Sequence, residues 1–174
     1  MNNDFNKACE KTLEYEGGYT DGKNQIKDEA TNMGIRQSTL DKYTKDYPES
    51  NMPDNVRLLT EIQVREIYKT LYWDNTRIPQ IKNERIRNAA FDMNVMSGIK
   101  NATITLQKAI KDIGFNIVVD GALGENTLKA LNNIPIDKTD VFMVCLKEQR
   151  LDFLRKTRNW PTAKNGWLKR TSKY

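Results

Sequence analysis

Phe5-Asn6-Lys7-Ala8-Cys9-Glu10-Lys11-Thr12-Leu13-Glu14-Tyr15-Glu16-Gly17-Gly18 opens the chain with the pattern on which the fold turns. Phe5, Ala8, Cys9, Thr12, Leu13 and Glu16 recur at three- and four-residue steps, so they share one face of a helix. Asp4 or Asn3 is placed to cap it, and Gly17-Gly18 to end it. From Tyr19 to Ile35 the helical period disappears. That polar, glycine-containing stretch reads as a long loop or a small β-hairpin, and long irregular segments in compact domains are often functional.

Working outward, helical periodicity dominates. Ser38 to Tyr47 reads as a short helix stopped before Pro48, and Pro53 marks a turn. Thr60-Glu61-Ile62-Gln63 fits a capping box, opening a helix that carries Val64, Ile67, Tyr68, Leu71 and Tyr72. Arg77-Ile78-Pro79 breaks that pattern, and a weak boundary falls near Gln80–Asn83. Further helices are expected over 83–97, with Ile86, Ala89, Ala90, Met93 and Ser97 inward, over 101–113, over 125–131 and over about 137–157. The segment 114–121 holds a short apolar run and a turn. The tail from Asn159 reads as irregular and anchored by Trp160 and Trp167. The fold class is mainly α.

At 174 residues the chain suits one domain, or one with a small appendage. It can bury roughly two-thirds of its unfolded surface. With 38% hydrophobic and 29% charged residues it has the composition of a globular protein, not a disordered one. No apolar run approaches the ~18–20 residues of a membrane span. The first residues lack the basic and apolar regions of a signal peptide. Cys9 and Cys145 fall on apolar helical faces and read as buried free thiols.

Charge is unevenly placed. Of the +5 net, residues 145–174 carry +7, from nine basic residues against Glu148 and Asp152, and the remainder carries −2. A basic patch suggests a polyanionic partner such as nucleic acid, an anionic membrane or an acidic wall polymer, or else a solvated helix face. No nucleic-acid docking motif accompanies it.

Histidine is absent. That excludes Ser-His-Asp and Cys-His catalysis and His-ligated zinc, and leaves carboxylates as acid–base candidates. Glu16 continues the apolar stripe to a helix end just before two glycines. Partial desolvation and the helix's negative end both favour the neutral acid there, the form a glycosidase general acid needs. Gly17 and Gly18 would let a polymer approach closely. In Asp28-Glu29-Ala30-Thr31-Asn32-Met33-Gly34-Ile35, Asp28 is placed to position water or stabilise an oxocarbenium-like centre, and Thr31 to hold that water. The alternative is an Asx or Ser/Thr turn.

Tyr15-Glu16-Gly17-Gly18-Tyr19, followed by Thr31-Asn32-Met33-Gly34-Ile35, resembles the catalytic region of the glycoside hydrolase family 108 lysozymes, the N-acetylmuramidases of phage endolysins and bacterial secretion-activator proteins. Tyr72-Trp73-Asp74 looks like that family's Tyr-Trp-Asp. Phe91-Asp92-Met93-Asn94-Val95-Met96-Ser97-Gly98 resembles the opening of its partnered peptidoglycan-binding domain. Leu106-Gln107 and Asp120-Gly121-Ala122-Leu123-Gly124-Glu125-Asn126-Thr127 look like that module's signatures, and Gly166-Trp167-Leu168-Lys169-Arg170 is similar to its close. Two departures stand out. The usual Asp-Gly-Gly reads Asp28-Glu29 here, so the second carboxylate lies among Asp21, Asp28 and Glu29, with Asp28 preferred for its spacing from Thr31. Asn94 follows Asp92 by only two residues.

The resemblance implies a lysozyme-like helical fold with a small hairpin. A catalytic part would span 1–80 and a peptidoglycan-binding part 81–174, packed as one unit. It implies cleavage of the β-1,4 bond between N-acetylmuramic acid and N-acetylglucosamine. Glu16 would be the general acid, assisted by Asp28 and Thr31, with Gly17, Gly18, Tyr19, Asn32, Tyr72, Trp73 and Asn94 at the substrate. For Tyr72 and Trp73 the alternative is core packing. No cofactor or metal is called for. The expected partner is peptidoglycan, without nucleic acid or membrane insertion, and the expected state is a monomer. Such an enzyme would be made in the bacterial cytoplasm and act on the wall, with Arg150, Arg155 and Lys169 tuning attraction to it. A non-catalytic wall-binding protein is the alternative.

Overall fold

The computed structural model describes residues 3–23 and 29–173. It is mainly α-helical, as the periodicity predicts. Eight helices are seen among the described residues: α1 (Asn3–Leu13), α2 (Gln37–Asp46), α3 (Glu61–Tyr68), α4 (Glu84–Ser97), α5 (Ile99–Asp112), α6 (Glu125–Asn132), α7 (Thr139–Arg155) and α8 (Trp160–Thr171). One small antiparallel hairpin joins β1 (Thr31–Asn32) to β2 (Ile35–Arg36).

α4 is the centre. α1 packs on it from one side and α5 from another, and α7 then covers α5 and carries α8. Every residue from Ile86 to Asn94 is buried. A helix buried on all sides is normally apolar throughout, yet this one holds Arg87, Asn88, Asp92 and Asn94. Each such group is costly unless something answers it. Arg87 reaches Asp4 at 3.0 Å and the Ile81 carbonyl at 2.8 Å. Asn94 donates to the Tyr72 carbonyl at 3.5 Å. Asp92 is met by Arg150 and Arg170, and Asn88 borders a cavity.

Around α4 the core runs without interruption from Phe5 to Leu146, passing straight across the sequence break near residue 80. Phe5, Trp73 and Phe91 form its aromatic heart, meeting edge to face at 5.6–5.8 Å between centroids. Each such pair adds about 0.5–1.5 kcal/mol beyond its buried area.

Three local features differ from the sequence expectation. α1 stops at Leu13, and Tyr15 and Glu16 follow in tight turns bonded to the Thr12 and Leu13 carbonyls, so Glu16 stands just beyond the helix. The tail expected to be irregular is helix α8. Pro161 sits in its first turn, the one helical position where a missing N–H costs nothing. The helix opened by Thr60, whose capping box forms as expected, passes into a wider π-turn over Lys69–Asp74. π-turns shift the side-chain register and occur often at functional sites.

The 114–124 segment is held by one side chain. Gln107 Nε2 donates to Asp120 (2.7 Å), the Ala122 carbonyl and Thr127, and its Oε1 accepts from the Gly121 N–H (2.8 Å). The Leu-Gln and Asp-Gly…Thr strings therefore meet in one structural clasp.

Candidate active site

Glu16 lies where the end of α1, the hairpin and α8 converge. Its side chain is 16% exposed, and Oε1 accepts a hydrogen bond from Arg170 Nη1 at 2.7 Å. Arg170 comes from the far end of the chain, and its other edge grips Asp92, with Nε at 2.9 Å and Nη2 at 2.6 Å from Oδ1. Arg150 Nη2 holds the second Asp92 oxygen at 2.6 Å. Two guanidinium groups and two carboxylates thus form a neutral chain, Glu16–Arg170–Asp92–Arg150. Burial pushes the Asp92 carboxyl up, but Arg150 and Arg170 outweigh it and hold it below its ordinary value. Burial would lower Arg170, and Asp92 and Glu16 more than reverse that. The Tyr15 ring lies against the Arg170 guanidinium, 5.4 Å from its centroid, a cation–π contact that further fixes the fork.

The hairpin closes on Glu16 from the other side. Its two-residue turn, Met33-Gly34, has φ of 43° and 77°, the left-handed pair that tight hairpins require. A Cβ on Gly34 would stand 2.3 Å from the Tyr68 hydroxyl and 2.8 Å from Glu16 Oε2. Only glycine fits there. The Tyr68 hydroxyl donates to the Met33 carbonyl at 2.9 Å, clamping the turn onto α3. Burial, with the Glu16 charge adding, pushes the Tyr68 phenol well above its ordinary value. Tyr72 is raised too, by burial first, with Arg36 opposing and Glu16 adding. Both phenols therefore stay protonated, and the Tyr68 proton is spent on the Met33 carbonyl. Toward solvent the rim is open: Gly17 and Gly18 are exposed, and a Cβ on either would meet nothing within 4 Å. Tyr19 is also exposed, with Arg57 over its ring at 5.2 Å.

Several expected site residues lie elsewhere. Trp73 is 1% exposed, its ring turned between Phe5 and Phe91, so it has no face for a sugar. Asn94 is buried beneath Tyr72. Asn32 is buried, and its amide nitrogen is spent on the Val56, Arg57 and Leu59 carbonyls, tying the hairpin to the following turn. These three are structural. Arg150, expected to face the wall, is inside the ion chain. Thr31 pairs with Thr20 across a β-bridge, and its hydroxyl donates to the Glu29 carbonyl at 3.4 Å. Asp28 lies outside the described residues. Of its two alternatives, Glu29 accepts from the Ser38 N–H at 2.6 Å in the first turn of α2. Asp21 accepts from the Lys23 N–H at 3.0 Å in an Asx-type turn.

The sequence profile of the glycosyl hydrolase 108 family matches residues 9–98, which holds Glu16, the hairpin and all of α4. The chain belongs to the glycosyl hydrolase 108 family. It is a glycoside hydrolase, and membership implies peptidoglycan as the substrate. The chain is similar to the solved structure of SagA from Brucella abortus, with a TM-score of 0.74 and 29% identity over 97% of this chain and 90% of that one. No curated protein matches it. No described helix is long and apolar enough to cross a membrane.

The sequence reading missed Asp92 as part of this site. A carboxylate amid Ile86, Ala89, Ala90 and Met93 is itself the signal: a charge on a buried face demands cationic partners, though the sequence alone does not single out Arg150 and Arg170 among its 28 basic residues.

Proposed function

We propose that the chain is an N-acetylmuramidase, hydrolysing the β-1,4 bond between N-acetylmuramic acid and N-acetylglucosamine with Glu16 as general acid. The observation that carries this reading is the placement of Glu16: a partly exposed carboxylate anchored by a buried Arg170–Asp92 pair and followed directly by exposed Gly17-Gly18 backbone. Anchoring fixes the acid's position, and the bare backbone admits a polymer. Glu16 takes up a proton from solvent as its contact with Arg170 loosens, and delivers it to the glycosidic oxygen. Asp28, with Thr31, orients water or shields the positive charge that develops on the sugar. Tyr19 and Tyr72 flank the path of the glycan. Arg170 is a positioning residue. As glycan covers the site and the Glu16–Arg170 contact loosens for proton donation, Asp92 keeps the guanidinium in place. The 81–174 part would contribute wall affinity, with Arg155 and Lys169 among its basic residues.

The test is a peptidoglycan digest analysed by mass spectrometry. Muropeptides with reducing N-acetylmuramic acid ends are expected. In Glu16→Gln, with the fold verified, their release should fall by about 10²–10⁴-fold, the span of a lost general acid. Near wild-type release would refute the assignment of Glu16. Pelleting with sacculi but no release by the wild-type chain would instead mark a wall-binding protein.

A further inference from the structure

Of the four polar side chains buried along α4, Asn88 alone is left unanswered. It is 3% exposed, and neither its Oδ1 nor its Nδ2 has a hydrogen-bond partner among the described residues. Native folds rarely bury such a group without a use for it. Asn88 lines a cavity of about 320 Å³ where α1, α4, α7 and the residues after α8 meet, a size within the ~300–1,000 Å³ of small-molecule sites. Lys11, Arg85 and Lys173 stand around it, with Met143 and the Tyr15 ring as apolar wall. Glu14 is the one acidic lining residue, and Arg85 is engaged by Asp140 at 2.5 Å. Lys11 and Lys173 therefore carry the excess positive charge. The Tyr15 ring also meets Arg170, so the cavity adjoins the site.

We propose that this cavity binds a ligand bearing a secondary amide beside a carboxylate. Both Asn88 amide atoms are sealed from solvent; as the ligand enters, the side chain turns into the cavity, where Nδ2 donates to the amide carbonyl and Oδ1 accepts from its N–H. Lys11 and Lys173 hold the carboxylate. Met143 and Tyr15 cover the acyl or side-chain carbon. A bare anion would leave Oδ1 unanswered, and a neutral acetamido sugar would leave the lysines unused. Two components of peptidoglycan present this chemistry: the carboxyl-terminal end of the stem peptide, and muramic acid whose lactyl carboxylate carries no stem peptide. That the ligand comes from the wall rests on the muramidase reading, but that the cavity takes an amide and a carboxylate together does not.

The experiment is a nitrogen-15 NMR titration of the full chain, following the Asn88 side-chain amide. N-acetyl-D-alanine and N-acetylmuramic acid are the probes, with N-acetyl-D-alaninamide and N-acetylglucosamine as controls that lack the carboxylate. A saturable shift at Asn88 is expected with at least one probe, and the stronger binder names the source. Asn88→Leu should weaken binding about tenfold or more, the worth of two hydrogen bonds. It should also raise Tm, because it removes a buried amide without a partner. Lys11→Glu with Lys173→Glu, both at exposed positions, should abolish the preference for probes over controls. No saturable shift with either probe, or equal binding by Asn88→Leu, overturns the proposal. Glycan hydrolysis is measured on the same samples. Hydrolysis without binding sinks the cavity alone, and binding without hydrolysis sinks only the muramidase reading.

Discussion

Glu16 and Asp92 share Arg170 but live in opposite surroundings. Asp92 is fully buried, holds two guanidinium groups and touches no solvent. Glu16 holds one guanidinium, is partly exposed and is followed by the exposed backbone of Gly17-Gly18. Removing the charge of a sealed ion leaves its partners uncompensated, whereas a rim carboxylate can be replaced by water or ligand. One carboxylate is therefore built to stay, and the other is held in position while remaining available.

The sharpest way to break this comparison is to neutralise each in turn. Asp92→Asn removes the buried charge that two guanidinium groups share and should cost about 3–5 kcal/mol of unfolding free energy. Glu16→Gln keeps an acceptor for Arg170 and should cost no more than about 1.5 kcal/mol. Urea denaturation of the two variants decides it, and equal losses would mean that Glu16 is as structural as Asp92. Arg170→Lys comes next. A lysine is a point charge that cannot span both carboxylates with a planar fork. It should cost about 1.5–3 kcal/mol while lowering turnover more than it raises KM, because the acid loses its alignment. A change in KM alone would remove Arg170 from the positioning role.

Much of the open region was legible in sequence, and most of the sealed one was not. Glu16, Gly17 and Gly18 announce themselves because helix periodicity and a double glycine are local signals. The hairpin was expected between Tyr19 and Ile35, though its turn at Met33-Gly34 is specified by φ values that only the fold displays. The Thr60 capping box was readable for the same reason: its two halves are three residues apart. The chain Glu16–Arg170–Asp92–Arg150 joins residues up to 154 positions apart, and no periodicity carries that information. So Arg150 read as a wall-facing charge, and Trp73 as either a sugar platform or a core residue. Trp73 is the buried residue of the π-turn, a tertiary outcome that helical spacing does not foresee.

Acid should reach the sealed region through Asp92. Its carboxyl lies below the ordinary 3.8 in the folded chain, so near and below that pH the unfolded chain binds more protons than the folded one. The stabilisation is complete above about pH 4 and lost progressively as pH falls toward the depressed folded value. Denaturation midpoints followed from pH 6 downward should therefore drop steeply below about pH 4, and the drop should flatten in Asp92→Asn. A variant with the wild-type slope would place the acid sensitivity in other carboxylates.

The two thiols give the smallest effect and the finest probe. Cys9 is buried in α1 against the core. Burial pushes its thiol up to about 11, with Arg65 opposing and Glu61 and Glu10 adding. Cys145 on α7 is only partly covered, and its thiol is raised by burial and Asp112. Reactivity requires both thiolate and access. At pH 8 an aromatic disulfide reagent should modify Cys145 slowly and Cys9 only when the fold opens. Because α1 packs on α4, loosening the ion chain should show at Cys9. Asp92→Asn should speed Cys9 labelling several-fold through local opening around α1, while Glu16→Gln should leave it near the wild-type rate. If both variants speed it alike, the rim and the sealed centre open as one unit, and the distinction between the two carboxylates is one of exposure only.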